Sequence, residues 1–290
     1  MDYSTIFTSA NFVGFGKGFV FVLISILTIW IAKFMADLRT VEFDDDAHID
    51  NGNLAVGLRR AGLYLGIAIA LSASIGGDSQ SFLLDLIILG TDAVLILICL
   101  FASRFINDKI MLGHINNDQE CMRGNSAVGA VEACMYIATG FVINGSLSGL
   151  SHSLIESILS TTLFFVLGQF VLLVFGYLYE VITPFNVRDE IKNGNLAAGI
   201  GLGGILVALG IILRASIEGP FTGWVSDIIN FGIYAVYGII MLLIFRTLID
   251  RILLPTTKLT VEITEDKNVA ALMVTESAII AVAIIIAFSM

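Results

Sequence analysis

Three glycines, Gly199, Gly201 and Gly204, stand at the G-x-G-x-x-G spacing that lets a backbone close around a dinucleotide pyrophosphate. That chemistry needs a strand before the glycines and an acidic residue about 20 positions after them. Here the polar stretch "RDEIKNGN" precedes them and an apolar run follows. The glycines are therefore read as helix-packing positions, and no nucleotide or other cofactor is expected.

The other residues with chemical potential are carboxylates inside apolar runs. Asp92, Glu132 and Glu276 lie deep in such runs. A charge at the centre of a bilayer costs roughly 2.5–3.5 kcal/mol, so each acid should face protein or water. Two readings follow. In one, Glu132 and Glu276 neutralise Arg59 or Arg60, which lie at similar depth, and lock helices together. In the other, the acids line a cation or proton path; Gln169 could add a polar contact to either arrangement. Asp85 and Asp227 correspond to one another in the first turns of two helices, where the macrodipole favours an acid. They read as caps, with an ion ligand as the alternative. Arg104 with Asp108, and Arg246 with Asp250, are spaced i,i+4 on one helix face. They read as interfacial anchors, with a gate salt bridge as the alternative.

The stretch "VEFDDDAHIDNGN" gathers Glu42, Asp44, Asp45, Asp46 and Asp50 beside His48. It misses the calcium-loop template and reads as a solvated acidic turn. His48, His114 and His152 have no zinc-ligand spacing, so no metal is expected. Among catalytic motifs, the P-loop lysine, H-E-x-x-H and G-x-S-x-G are missing. Ser74, Ser146, Ser216 and Ser289 recur with no histidine near them, as capping or interhelical groups would. The chain is expected not to be an enzyme.

The elements that must position these residues are membrane helices. Charged residues make up 14% of the chain, against roughly 25% in soluble domains, and the mean hydropathy is +0.93. Eight runs reach the ~20 residues that a bilayer core requires. They lie near 18–37, 54–75, 82–104, 126–147, 158–182, 196–217, 228–248 and 269–290. Backbone groups in lipid must be satisfied internally, so the runs must be helices.

Lys and Arg concentrate in 38–53, 105–125, 183–195 and 249–268, with Arg39, Lys109, Arg123, Arg188, Lys192, Arg251, Lys258 and Lys267. The opposite segments 76–81, 148–157 and 218–227 hold none; Lys17 and Arg214, at helix ends, are the exceptions. Four loops are thus expected in the cytoplasm and both termini outside. The first run lacks a basic n-region and a small-residue cleavage site, and is expected to remain as a span. Cys99, Cys121 and Cys134 form no C-x-x-C pair and no disulfide framework. A net charge of −10 argues against nucleic acid as a partner.

Internal repetition organises the spans. Aligning Asn53, Asn125, Asn195 and Asn268 brings Ala55, Ala127, Ala197 and Ala270 together two positions on. Nine positions on stand Gly62, Cys134, Gly204 and Ser277, and thirteen on stand Gly66, Ala138, Ala208 and Ala281. Each even-numbered span therefore begins on an Asn suited to N-capping and carries a stripe of small side chains for close packing. A second repeat relates "NGNLAVG" at 51–57 to "NGNLAAG" at 193–199, at an offset of 142. The expected architecture is an all-α polytopic membrane protein with two parallel four-helix repeats, 1–147 and 148–290. A ring or a paired bundle around a central axis is expected, along with homo-oligomerisation.

The N-G-N-L-A-[VA]-G segments, and the R-x-x-x-D-[KR]-I-[LM]-L pattern ending the third and seventh spans, resemble a bacterial inner-membrane family catalogued as domain of unknown function 350. The resemblance covers the whole chain and is strongest at 188–204. It implies two-helix membrane repeats and an inner-membrane location, and it transfers no chemistry. Relatives with polyamine-synthase-like domains or membrane-stress neighbours point to cations or envelope maintenance. The expected function is passage of a small cation, protons or a cationic solute. The alternative is an envelope scaffold that recruits a cytoplasmic protein partner.

Overall fold

The computed structural model describes residues 9–39, 44–76, 81–113, 115–149, 153–219, 221–253 and 258–290, with backbone alone at 9–13, 39, 250 and 253. His114, His152 and Glu42 lie outside the described residues.

Among the described residues, eight long helices are apolar enough to cross a membrane. The odd-numbered spans are α1 (Ser9–Arg39), α4 (Phe82–Ile106), α7 (Leu154–Ile182) and α10 (Trp224–Leu253). The even-numbered spans are α3 (Leu54–Gly76), α6 (Ser126–Leu147), α9 (Leu196–Ile217) and α12 (Val269–Ser289). Between each odd and even span stands a six-residue helix: α2 (Asp45–Asp50), α5 (Asn117–Met122), α8 (Val187–Lys192) and α11 (Leu259–Thr264). A π-helical turn, Asn107–Met111, continues α4.

The short helices complete a unit used four times. Asp44, Asn116 and Asn186 cap α2, α5 and α8 by accepting from the backbone N–H three residues on, which satisfies an orphan donor. Each short helix then turns sharply into the next span. The turn residues Gly52, Gly124 and Gly194 have φ of +80°, +85° and +81°, and the fourth is Lys267 at +47°. A residue without Cβ adopts that left-handed backbone without steric cost. The Asn that follows caps the span: Oδ1 of Asn53, Asn125, Asn195 and Asn268 accepts from Ala55, Ala127, Ala198 and Ala271.

The even spans form a row in chain order, α3 on α6, α6 on α9, α9 on α12. Among the described residues α12 has its extensive contacts with α9 and α10 and none as extensive with α3, so one chain makes a row where a ring or paired bundle is expected. The odd spans cover the row from outside; α4, for example, packs on both α3 and α6. The interior of the row is the most deeply buried part, with most of α6 and α9 enclosed by the protein.

The small-residue stripes make these contacts in one register. A Cβ placed on Gly62 would collide with the backbone of Ala133, and one on Gly203 would lie 2.7 Å from the Cys134 sulfur. One on Gly204 would lie 2.5 Å from the Glu276 Cβ. In each pair, position nine after the Asn of one unit meets position eight of the next. Ala55 and Ala127 meet Gly129 and Gly199 in the same way. Ala270 differs from its three counterparts: Ala55, Ala127 and Ala197 are fully buried against the next described unit and Ala270 is exposed.

Candidate functional site

Two polar systems stand at opposite ends of the row. At the end that carries the short helices, the first half holds a buried ion network. Arg59 donates to Asp118 at 2.7 Å and to Asp45 at 3.0 Å, and its Nε lies 3.8 Å from Glu132. Arg60 donates to Asp37 at 2.6 Å and to Asp45 at 2.9 Å. Arg104 pairs with Asp118, with its Nε 3.8 Å from Asp108. The three arginines are almost wholly buried, where only good geometry offsets the cost of desolvation. Burial, with Glu132 alongside, also pushes the Cys121 thiol well above the usual thiol range.

This network revises the reading of the acidic turn. Asp44 caps α2, Asp46 pairs with Lys33 at 2.5 Å, and Asp45 is 5% exposed between Arg59 and Arg60. Asp44, Asp46 and Asp50 are exposed, as in a solvated turn, and Asp45 is the member drawn inward as a partner of the span arginines. Glu132 lies beside Arg59 and Arg104's partner Asp108 sits at the expected spacing, but the nearest acid to Arg104 is Asp118 of α5. The Asp250 side chain lies outside the described residues. Arg246 donates to the Tyr179 hydroxyl at 3.1 Å and its guanidinium stands 4.7 Å from the ring centroid. Glu276 occupies the α9–α12 seam, 2% exposed, against Gly204.

The units are also tied to one another here. Asn53 Nδ2 donates to the carbonyls of Cys121 and Met122, Asn125 to those of Ile191 and Lys192, and Asn195 to that of Ile263. Each Asn therefore caps its own helix and grips the short helix of the next unit. Glu120, Glu190 and Glu262 accept a second N–H from Asn125, Asn195 and Asn268.

At the far end a pocket of about 460 Å³ opens at the seam between the halves, among α6, α7, α9, α10 and the end of α12. Glu156, Glu218 and Asp227 line it together with Ser157, Ser160 and Asn230, and no Lys or Arg is among its lining residues. Phe164 and Tyr234 also border it. Glu218 pairs with Arg214 at 2.9 Å, leaving a net negative surface. Asp227 accepts from the Thr222 hydroxyl at 2.6 Å and its amide at 3.2 Å, so it closes the turn before α10 while facing the pocket. Its counterpart Asp85 sits in the first turn of α4, outside this pocket.

A second depression, of about 380 Å³, is lined by all four even spans. Its polar side is a ladder at position nineteen of the units: Asn144 donates to Ser72 at 3.0 Å and Arg214 donates to Asn144 at 2.5 Å. Arg214, an exception to the loop charge bias, is held there.

The deep acids are not gathered into one cavity. Asp92 is 7% exposed on α4 and stands beside Ser74, while Glu132 and Glu276 lie in separate helix seams. Gln169 donates to Thr139 at 2.8 Å within the α6–α7 contact. Ser146, Ser216 and Ser289 hydrogen-bond to carbonyls of their own helices. Sequence reasoning missed Glu156 and Glu218, whose short-range context is that of ordinary helix-end acids.

Comparison with known proteins agrees with this duplicated membrane architecture. A UPF0719 transmembrane protein of Aquifex aeolicus (strain VF5) is 26% identical over 269 residues, covering 91% of this chain and 96% of the relative. No solved structure matches the chain. One family model matches residues 10–147 and again 153–290, one copy on each half, and the chain belongs to that family, described as Domain of Unknown Function (DUF350).

Proposed function

We propose that this integral membrane protein is a non-enzymatic conduit or receptor for a small cation or cationic solute, admitted at the far-end pocket. The observation that carries the reading is a pocket of about 460 Å³ lined by three carboxylates and several hydroxyls, with no Lys or Arg among its described lining residues. A cleft bordered by one sign of charge concentrates its counter-ion. The basic end belongs in the cytoplasm by the distribution of Lys and Arg, which puts the pocket and both termini on the outer side of a bacterial inner membrane. Three buried polar atoms in spans of the second half, Thr161 Oγ1, Gln169 Oε1 and Thr275 Oγ1, have no hydrogen-bond partner among the described residues. Such groups in a span favour contact with water or solute.

The test is reconstitution in sealed vesicles with a fluorescent readout of monovalent cation or polyamine uptake. Wild type should pass the cation, and Glu156→Gln should slow its entry. Vesicles that stay tight to every cation tried would sink the reading.

A scaffold role has its own support. The four short helices stand at one end and present exposed Asp50, Arg123 and Asp189, a polar platform for a cytoplasmic protein. Crosslinking from that platform to one defined partner would favour it.

A further inference from the structure

The row of even spans has two unlike edges, and each is the complement of the other. Within the chain, a leaving face (positions two, nine and thirteen after the Asn) packs on an arriving face (positions four, eight and fifteen). At the second, ninth and thirteenth positions the pairs are Ala55 with Gly129, Gly62 with Ala133 and Gly66 with Gly140, and the register recurs between α6 and α9. Of the interior residues in this register, all are buried except the half-buried Cys134.

Both faces are bare at the ends of the row. On α12 the leaving positions are Ala270, Ser277 and Ala281, and all three are exposed. On α3 the arriving positions are Gly57, Ala61 and Ala68. Ala61 and Ala68 are exposed, and a Cβ on Gly57 would meet nothing within 4 Å. The Asn grip ends in the same way. Asn53, Asn125 and Asn195 each reach the carbonyls of the following short helix, whereas Asn268 donates to Glu262 of its own unit. The side chains that would face lipid here are small, and lipid provides no drive for keeping them so. Close backbone approach does.

We propose that the row continues from one molecule into the next: the α12 edge of one copy packs on the α3 edge of a second copy, in the register of the α3–α6 and α6–α9 contacts. The occupant is a second copy because the interface already exists three times within the chain and is left open once at each end. The contact is heterologous, so copies close into a ring or extend as a line. The depression that all four even spans line together shows that they face a common side, and a row bent toward that side closes into a ring. In such a ring α1 would lie in the groove between α12 of one copy and α3 of the next, as α4 lies on α3 and α6. The exposed Phe15, Phe19, Leu23 and Trp30 of α1 provide apolar surface for that contact.

The test uses the full chain in native membranes, with the three native cysteines replaced. Two differently tagged versions carry Ala61→Cys and Ser277→Cys, and are co-expressed and oxidised. A disulfide requires Cα atoms about 4.4–6.8 Å apart, so only the proposed register brings the pair together. A crosslink between the two tags, absent when either version is expressed alone, supports the proposal. Crosslinking of Ser277→Cys to itself would indicate a symmetric contact and overturn it, and no crosslink in the mixture would also overturn it. Should replacing the native cysteines prevent expression, Ala61→Trp and Ser277→Trp in the natural background decide the matter. Each should reduce the assembly to monomers by native mass measurement in nanodiscs. An unchanged mass, or a wild type that is already monomeric, would overturn the proposal.

Discussion

The first and second halves share a backbone plan and treat its basic end in opposite ways. In the first half Arg59, Arg60 and Arg104 are clasped by Asp37, Asp45, Asp118 and Glu132. At the offset of 142, Asp37 becomes Tyr179, Asp45 becomes Val187, Arg59 becomes Gly201 and Arg60 becomes Leu202. In the helix where the offset grows to 143, Glu132 becomes Thr275. Arg104 survives as Arg246, which engages an aromatic hydroxyl and ring. The backbone plan therefore does not need the charges. Duplication left one half with an ionic clasp and the other with small residues and a carboxylate, Glu276, set in a helix seam.

The largest effect should come from breaking the clasp unevenly. Arg59→Met leaves Asp45 and Asp118 without one of their cations, and stranding buried charge costs roughly 3–5 kcal/mol. Thermal unfolding in detergent should show a severe loss, or the protein should fail to accumulate in membranes. Giving the first half the second half's residues together (Asp37→Tyr, Asp45→Val, Arg59→Gly, Arg60→Leu, Glu132→Thr) should recover most of that loss, since a concerted apolar replacement is often neutral. If the multiple variant is no better than Arg59→Met, the charges are required by the fold and the comparison fails.

Next come the glycines of the row. Gly62→Leu places a side chain where the Ala133 backbone already stands, so α3 and α6 must separate. Overpacking of that kind costs roughly 1–3 kcal/mol or more. Gly90→Ala on α4, with open space around it, should be neutral or stabilising by about 0.5–1 kcal/mol. Equal melting temperatures for the two variants would show that the row is looser than its geometry.

Much of this organisation was legible in the residues. The eight spans follow from apolar length, and the fourfold unit from Asn53, Asn125, Asn195 and Asn268, because a cap and a small-residue stripe recur at fixed distances. The six-residue helices were not legible: they are polar and too short for a periodic signal. Asp45 looked solvated because acids in a run usually are, and its burial depends on Arg59 and Arg60 of another helix. The Ser72, Asn144 and Arg214 ladder was hidden because the copies use different chemistry at one position. The far-end pocket draws on five spans and two connecting segments, so no local pattern marks it. The chain reads as a row because the leaving face of α12 and the arriving face of α3 stay exposed instead of meeting each other, which the spacing of the small residues does not reveal.

A smaller effect separates the interior Asn residues from the last. Asn125→Ala removes a helix cap and two donations into α8, whereas Asn268→Ala removes a cap and a bond to Glu262. A cap is worth about 0.5–2 kcal/mol, and each buried group left unsatisfied adds about 1–3 kcal/mol. Chemical denaturation should rank Asn125→Ala below Asn268→Ala in stability. The reverse order would mean that units are not held through these side chains.

The smallest effect tests the second half directly. Tyr179→Phe keeps the ring under the Arg246 guanidinium and removes the hydroxyl that accepts from it at 3.1 Å. Loss of one hydrogen bond to a charged group costs about 1.5–3 kcal/mol at most, with the retained cation–π contact holding the arginine in place. The expected shift lies at the lower end of that range, well short of Arg59→Met. Because Tyr179 stands near Gly201 and the Glu276 carboxylate, the same variant should alter cation uptake in vesicles more than it alters melting. A loss of stability as large as that of Arg59→Met, with uptake unchanged, would make the second half a clasp like the first. The contrast between an ionic half and an apolar half would then disappear.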